Sequence, residues 1–160
     1  MKAVSDTGPL LHLSEIQCQN ALDIVQQLLV PPEMNLELRK RQVALDRIQV
    51  IGLTAKGKDR SKILVQEYSL DLGEAEAIAL ALQEQISLFL TDDLDARTTA
   101  KKYNLEVHGT LGILARAYRE GIFSKEETFS KIDLLYNSSS LFITKGLVLD
   151  IKRTIEEFKK

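Results

Sequence analysis

The sequence predicts an α/β fold: a three-layer α/β/α sandwich built on a mainly parallel sheet. Two observations carry that prediction. Short apolar runs, among them KAVS (2–5), ISLFLT (86–91) and LEVHG (105–109), are each followed at once by a longer segment of helical periodicity. Strands separated by helices pair in parallel and are covered by those helices. Residues that start and stop helices also fall at the joints, as with Pro31-Pro32, Thr110 and Gly121.

Taken in order, KAVS reads as the first strand, and residues 7–16 as a helix carrying Leu10, Leu11, Leu13 and Ile16. Residues 19–29 predict a second amphipathic helix, and a short strand then ends at Pro31-Pro32, whose prolines suit the first turn of the next helix. IQVIGL (48–53) reads as a further strand at the sheet edge. Residues 57–69 and the stretch LDLGEAEAIALALQEQ (70–85), from Gly73 onward, read as helices. ISLFLT precedes Asp92-Asp93 and the helix LDARTTAKKYN. LEVHG leads into a helix capped by Thr110 and ended by Gly121, and helices over 125–137 and 146–159 complete the chain.

At 160 residues, with 44% hydrophobic and 28% charged residues, the chain is expected to form one domain over 1–160 with a true core. Cys18 is the only cysteine, which excludes an internal disulfide and argues for no oxidising compartment. No apolar run approaches the roughly 20 residues of a membrane span, and Asp6 arrives too early for a signal peptide. A cytoplasmic protein without a membrane partner is therefore expected. The net charge of −2 shows no basic excess, but basic residues gather at Arg39-Lys40-Arg41, in KGKDRSK (56–62), at Lys101-Lys102 and at Arg116 and Arg119. Such groups are either solvated helix faces or local patches for an acidic partner.

VSDTGPLLHL (4–13) contains Asp6-Thr7-Gly8, the triplet of aspartic proteases. Those enzymes are built of strands, whereas a helical pattern starts here within two residues of Asp6, so the protease reading is set aside. Ligands of open α/β sheets bind beyond the carboxyl ends of the strands. Asp6 ends the first strand, and Asp92 and Asp93 end ISLFLT. Glu74 and Glu76 open the helix before that strand, and Glu37 lies in the helix after Pro31-Pro32. Singly, each has a structural use: helix dipole for Glu74, Glu76 and Asp93, an i,i+4 pair with Arg41 for Glu37, a cap for Asp6. Together they repel unless they protonate or hold a cation, and hard oxygen ligands suit Mg²⁺ or Mn²⁺. His12, His108 and Cys18 have no zinc spacing, and neither phosphate-loop motif occurs.

In order and spacing, VSDTGPLLHL, VPPEMNLEL, LGEAEAIALAL, LFLTDD and HGTLGILARAYREG resemble the PIN-domain nucleases, and especially the small prokaryotic branch related to VapC-type toxins. The resemblance implies a PIN-like fold and a metal-dependent endoribonuclease that leaves a 3′-hydroxyl and a 5′-phosphate. It implies a site of three or four acids binding Mg²⁺ or Mn²⁺: Asp6, Glu37, Glu74 and Asp93, with Asp92 sharing the metal and Asp95 a weaker candidate. Asp6, Glu74 and Asp93 would hold the principal ion, and Glu37 would complete the shell or orient the attacking water. Glu76 is the alternative to Glu74. The basic residues near 39–41 and 56–62 would guide single-stranded RNA, the implied substrate. A partner antitoxin and a homodimer are further implications.

Two positions depart from the family pattern. Gly8 stands where many members have a serine, and the third acid is a glutamate where aspartate is frequent. They motivate a rival reading, a non-catalytic PIN-like module that binds RNA or protein. A phosphohydrolase of the haloacid-dehalogenase type, which also starts from an apolar strand and Asp, wants a second aspartate at position 8.

Overall fold

The computed structural model describes residues 1–43 and 45–158. Among them, five strands form one sheet with the order β3-β2-β1-β4-β5, every neighbouring pair parallel. The strands are β1 (Lys2–Ser5), β2 (Gln27–Val30), β3 (Ile48–Val50), β4 (Leu88–Leu90) and β5 (Glu106–His108). The helices are α1 (Thr7–Glu15), α2 (Pro32–Lys40), α3 (Ala55–Tyr68), α4 (Leu72–Gln83), α5 (Leu94–Lys102), α6 (Thr110–Arg119), α7 (Lys125–Ser138) and α8 (Lys145–Glu157). Helices flank the sheet to give the α/β/α sandwich that the alternation of runs predicts. The expected end of the last helix at residue 159 lies outside the described residues.

The central strands are short and apolar because both faces are covered. Ala3 and Val4 of β1 pair with Leu28 and Leu29 on one side and with Leu88 and Phe89 on the other, and all six are buried. The outer strands keep exposed residues: Gln49 and Val50 on β3, Glu106 on β5. The strand at 48–53 is therefore an edge strand, as expected, although only its first three residues pair.

One expected element is corrected. Residues 19–29 do not form an amphipathic helix. Gln19–Ile24 make a short 3₁₀ turn, Val25 turns to extended backbone, and Gln27–Val30 form β2. Ala21, Leu22 and Ile24 are buried at a spacing that imitates a helical stripe, while Leu28, Leu29 and Val30 are buried as a strand covered on both faces. A run of this kind cannot be assigned by periodicity alone.

The strand order places a topological switch between β1 and β4. The chain moves from β1 to β2 to β3 in one direction and then returns to lay β4 on the other side of β1. The connections after β1 and β4 diverge there, leaving a crevice at their carboxyl ends. The backbone N–H of Asp6 donates to the Leu90 carbonyl at 2.8 Å, tying the two strand ends together at its floor.

Candidate metal centre at the carboxyl edge of the sheet

Asp6 is the first residue beyond β1 and the N-cap of α1. Its Oδ1 accepts the Thr7 N–H at 2.7 Å, and its Oδ2 accepts the Thr91 hydroxyl at 3.0 Å. Only 8% of Asp6 is exposed. Burial pushes its carboxyl up to about 6, against those two hydrogen bonds, and the charges of Asp71 and Asp93 add to the rise.

Asp93 caps α5, with Oδ1 accepting the Ala96 N–H at 2.8 Å, and its own N–H donates to the Thr91 hydroxyl at 3.1 Å. Thr91, fully buried, thus orients Asp6 with its proton and Asp93 with its lone pair. Glu74 lies in the first turn of α4, where it forms a reciprocal capping box with Asp71: each N–H donates to the other's carboxylate, at 2.8 and 3.2 Å. Burial, then the charges of Asp71, Asp93 and Asp6, push the Glu74 carboxyl up to about 8. Four carboxylates from three chain segments therefore act on one another at the switch point.

Asp71 was not among the sequence candidates. Its signal was present as Asp71-Leu72-Gly73-Glu74, the D-x-x-E pattern of a capping box, but that pattern alone marks only a helix start. Glu76 stands elsewhere, with Glu33 and Lys58 as its charged neighbours, and burial with Glu33 raises its pKa. Asp95 is exposed, two residues on from Asp93 and so on a different face of α5.

Glu37 reaches the site through a hydroxyl. Thr7 Oγ1 lies 3.1 Å from Glu37 Oε2 and 2.9 Å from Met34 Sδ, and with one proton to give, it serves the carboxylate better. The other Glu37 oxygen faces Arg41 Nε at 3.6 Å, a half-exposed i,i+4 pair. Glu37 sits at the rim.

Asp92, expected to share a metal with Asp93, has its own set of hydrogen bonds. Its Oδ1 accepts the Thr110 N–H at 2.7 Å; its Oδ2 accepts the Thr110 hydroxyl at 2.6 Å and His12 Nδ1–H at 2.7 Å. Burial alone would raise its pKa, but the His12 and Thr110 hydrogen bonds outweigh it and hold the carboxyl below its ordinary value. His12 is thereby assigned the tautomer with a proton on Nδ1, because an ionised carboxylate only accepts. A Cβ on Gly8 would sit 3.6 Å from Asp92 Oδ2 and from His12 Cε1, an ordinary contact, so position 8 has room for a side chain.

Of the basic stretch 56–62, Lys58 neighbours Glu76, while Lys56 and Arg60 lie apart from Glu74. Lys56 and Arg60 line a cavity of about 320 Å³ with Gln83 and Gln85, at the opposite end of α4 from Glu74. Nine residues of helix, about 14 Å, separate Glu74 from Gln83.

These features define an α/β protein with an acidic site at the carboxyl end of a parallel sheet. Comparison with known families gives that class its name. The PIN domain family matches residues 2–157, and the chain belongs to it. No curated protein and no solved structure matches the chain. Among the described residues, no helix is long and apolar enough to cross a membrane.

Proposed function

We propose that this PIN-domain protein is a Mg²⁺- or Mn²⁺-dependent endoribonuclease that cuts single-stranded RNA. The observation that carries the reading is the gathering of Asp6, Asp71, Glu74 and Asp93 at one sheet edge, where burial, with their neighbours' charges adding to it, lifts Asp6 and Glu74 well above ordinary carboxylates. The donor chemistry fits a hard divalent cation. Asp93 Oδ2, Glu74 Oε1 and Asp71 Oδ2 have no hydrogen-bond partner among the described residues, so oxygen lone pairs are left for a ligand. Asp6, Glu74 and Asp93 would hold the ion, with Glu37 at the rim.

When bound, such an ion supplies Lewis-acid polarisation of a phosphoryl oxygen. Asp6 contributes rigidity, since Thr7 and Thr91 fix both of its oxygens. Glu74 Oε1, free of hydrogen-bond partners among the described residues, is the oxygen this carboxylate would offer the ion, while Oε2 stays on the Asp71 N–H. The test is cleavage of labelled single-stranded RNA with Mn²⁺. Asn retains the helix-capping function of Asp, so Asp6→Asn and Asp93→Asn are expected to fold and to cleave at least about 100-fold more slowly. Variants that cleave as fast as the parent would overturn the assignment.

A second reading, a non-catalytic module binding RNA or protein, is favoured by one observation. Among the described residues, no three acidic, histidine or cysteine side chains are drawn tightly enough to hold an ion as they stand. Calorimetry that finds no Mg²⁺ or Mn²⁺ heat would support it. The VapC-like order of motifs further supports a cytoplasmic toxin held by an antitoxin and paired as a homodimer; a small adjacent gene for a DNA-binding antitoxin is the observation that would bear on it.

A further inference from the structure

We infer that Arg97 grips a phosphate of the bound RNA strand beside the acidic site, an assignment that rests on the nuclease reading above. Arg97 lies on α5 four residues after Asp93, on the same helix face and one turn along. It is half-buried, and its Nε is buried with no hydrogen-bond partner among the described residues. None of the ion pairs among those residues includes it. A buried guanidinium N–H left without an acceptor is unfavourable unless a ligand oxygen completes it.

The Asp92 carboxylate, which lies nearby, is not that acceptor. A Cβ built on Gly109 would lie 2.7 Å from Arg97 Nη2 and 2.8 Å from Asp92 Oδ1, which places the two groups on either side of one point. Asp92 is already held by hydrogen bonds from His12 and Thr110. Gly109 has φ −85°, a conformation open to any residue, so it is the missing side chain that matters: it leaves room for the guanidinium. The guanidinium presents a fork matched to phosphate oxygens. It sits on the β5 side of the switch point, beside Gly109.

The experiment measures binding apart from cleavage. Anisotropy of a fluorescein-labelled single-stranded RNA 12-mer, in EDTA and across a salt series, is compared for the parent, Arg97→Gln, Arg97→Lys and Gly109→Ala, with thermal unfolding of each. Arg97→Gln is expected to bind roughly tenfold more weakly and to lose about 0.7 from the slope of log K against log salt, the share of one phosphate contact on a single strand. Arg97→Lys is expected to recover the slope and only part of the affinity, and Gly109→Ala to weaken binding by displacing the guanidinium. An Arg97→Gln protein with the parent's affinity and salt slope, or one that only melts at lower temperature, would overturn the assignment, as would a parent that binds no RNA. A parent that binds with the expected slope but never cleaves with Mn²⁺ would instead remove the nuclease reading and leave Arg97 in place.

Discussion

Asp6 and Asp92 occupy comparable positions: each is the first acid beyond a central strand, Asp6 is buried and Asp92 largely so, and the two strands are neighbours. Their carboxyls are nevertheless driven in opposite directions. Asp92 meets three hydrogen-bond donors from His12 and Thr110, and its charge is stabilised. Asp6 meets two, and faces other carboxylates as well. Burial alone therefore does not decide the state of a carboxylate. The balance between donors and like charges does, and it separates an acid that ties the structure together from one available to a ligand.

The comparison breaks most severely at Asp92. Asp92→Ala would leave the Thr110 N–H and hydroxyl and His12 without their acceptor, and is expected to cost about 3 kcal/mol in denaturant unfolding at neutral pH. Thr91→Val removes the hydroxyl that serves Asp6 and Asp93 and is expected to cost about 1–2 kcal/mol. It should also raise the apparent pKa of Asp6, read by NMR titration, because a bond that favours the charged form is gone.

The acidic cluster sharpens the contrast by its pH dependence. The folded-state pKa values of Asp6 and Glu74, about 6 and about 8, lie above the ordinary 3.8 and 4.5 of these side chains. The native state thus holds these protons more tightly than the unfolded chain, and without divalent cations stability is expected to fall as pH rises from about 4 to about 8. Thermal scans should show a lower Tm at pH 8.5 than at pH 5. Glu74→Gln should flatten the upper part of that decline, and Mn²⁺ should raise Tm at pH 8 more in the parent than in Glu74→Gln. An unchanged profile in Glu74→Gln would remove Glu74 from the cluster. The smallest effect is expected at Gly8→Ala, whose Cβ meets only ordinary contacts. It should gain about 0.5 kcal/mol from lost backbone freedom in the unfolded chain.

Much of this was legible in the sequence because the same residues act at two levels. The inner strands carry apolar residues because both faces are buried, and the ends of β1 and β4 are marked by Asp6 and Asp93, which cap helices; Thr110, expected to cap α6, is instead its first residue, after Gly109 at the N-cap. Residues 19–29 were misread because Ala21, Leu22 and Ile24 fall at a helical spacing while the true strand, only four residues long, follows directly. Asp71 was missed because a capping box is indistinguishable in sequence from a capping box that also faces other acids. Asp92 and Asp93, adjacent in sequence, could not be separated without the partner of each: Thr110 lies 18 residues from Asp92, and His12 lies 80. Arg97 carries no signal at all until Gly109 is placed beside it.

Asp6, Asp71 and Asp93 each begin a helix as well as facing the site. A relative that had abandoned its chemistry would still be under selection to keep an Asp or a comparable cap at all three places, since a lost cap costs about 1 kcal/mol. Persistence of these aspartates through descent is thus poor testimony to catalysis. Glu37 caps nothing and sits half-exposed at the rim, so its loss or retention among relatives is the more telling record of whether the site is in use.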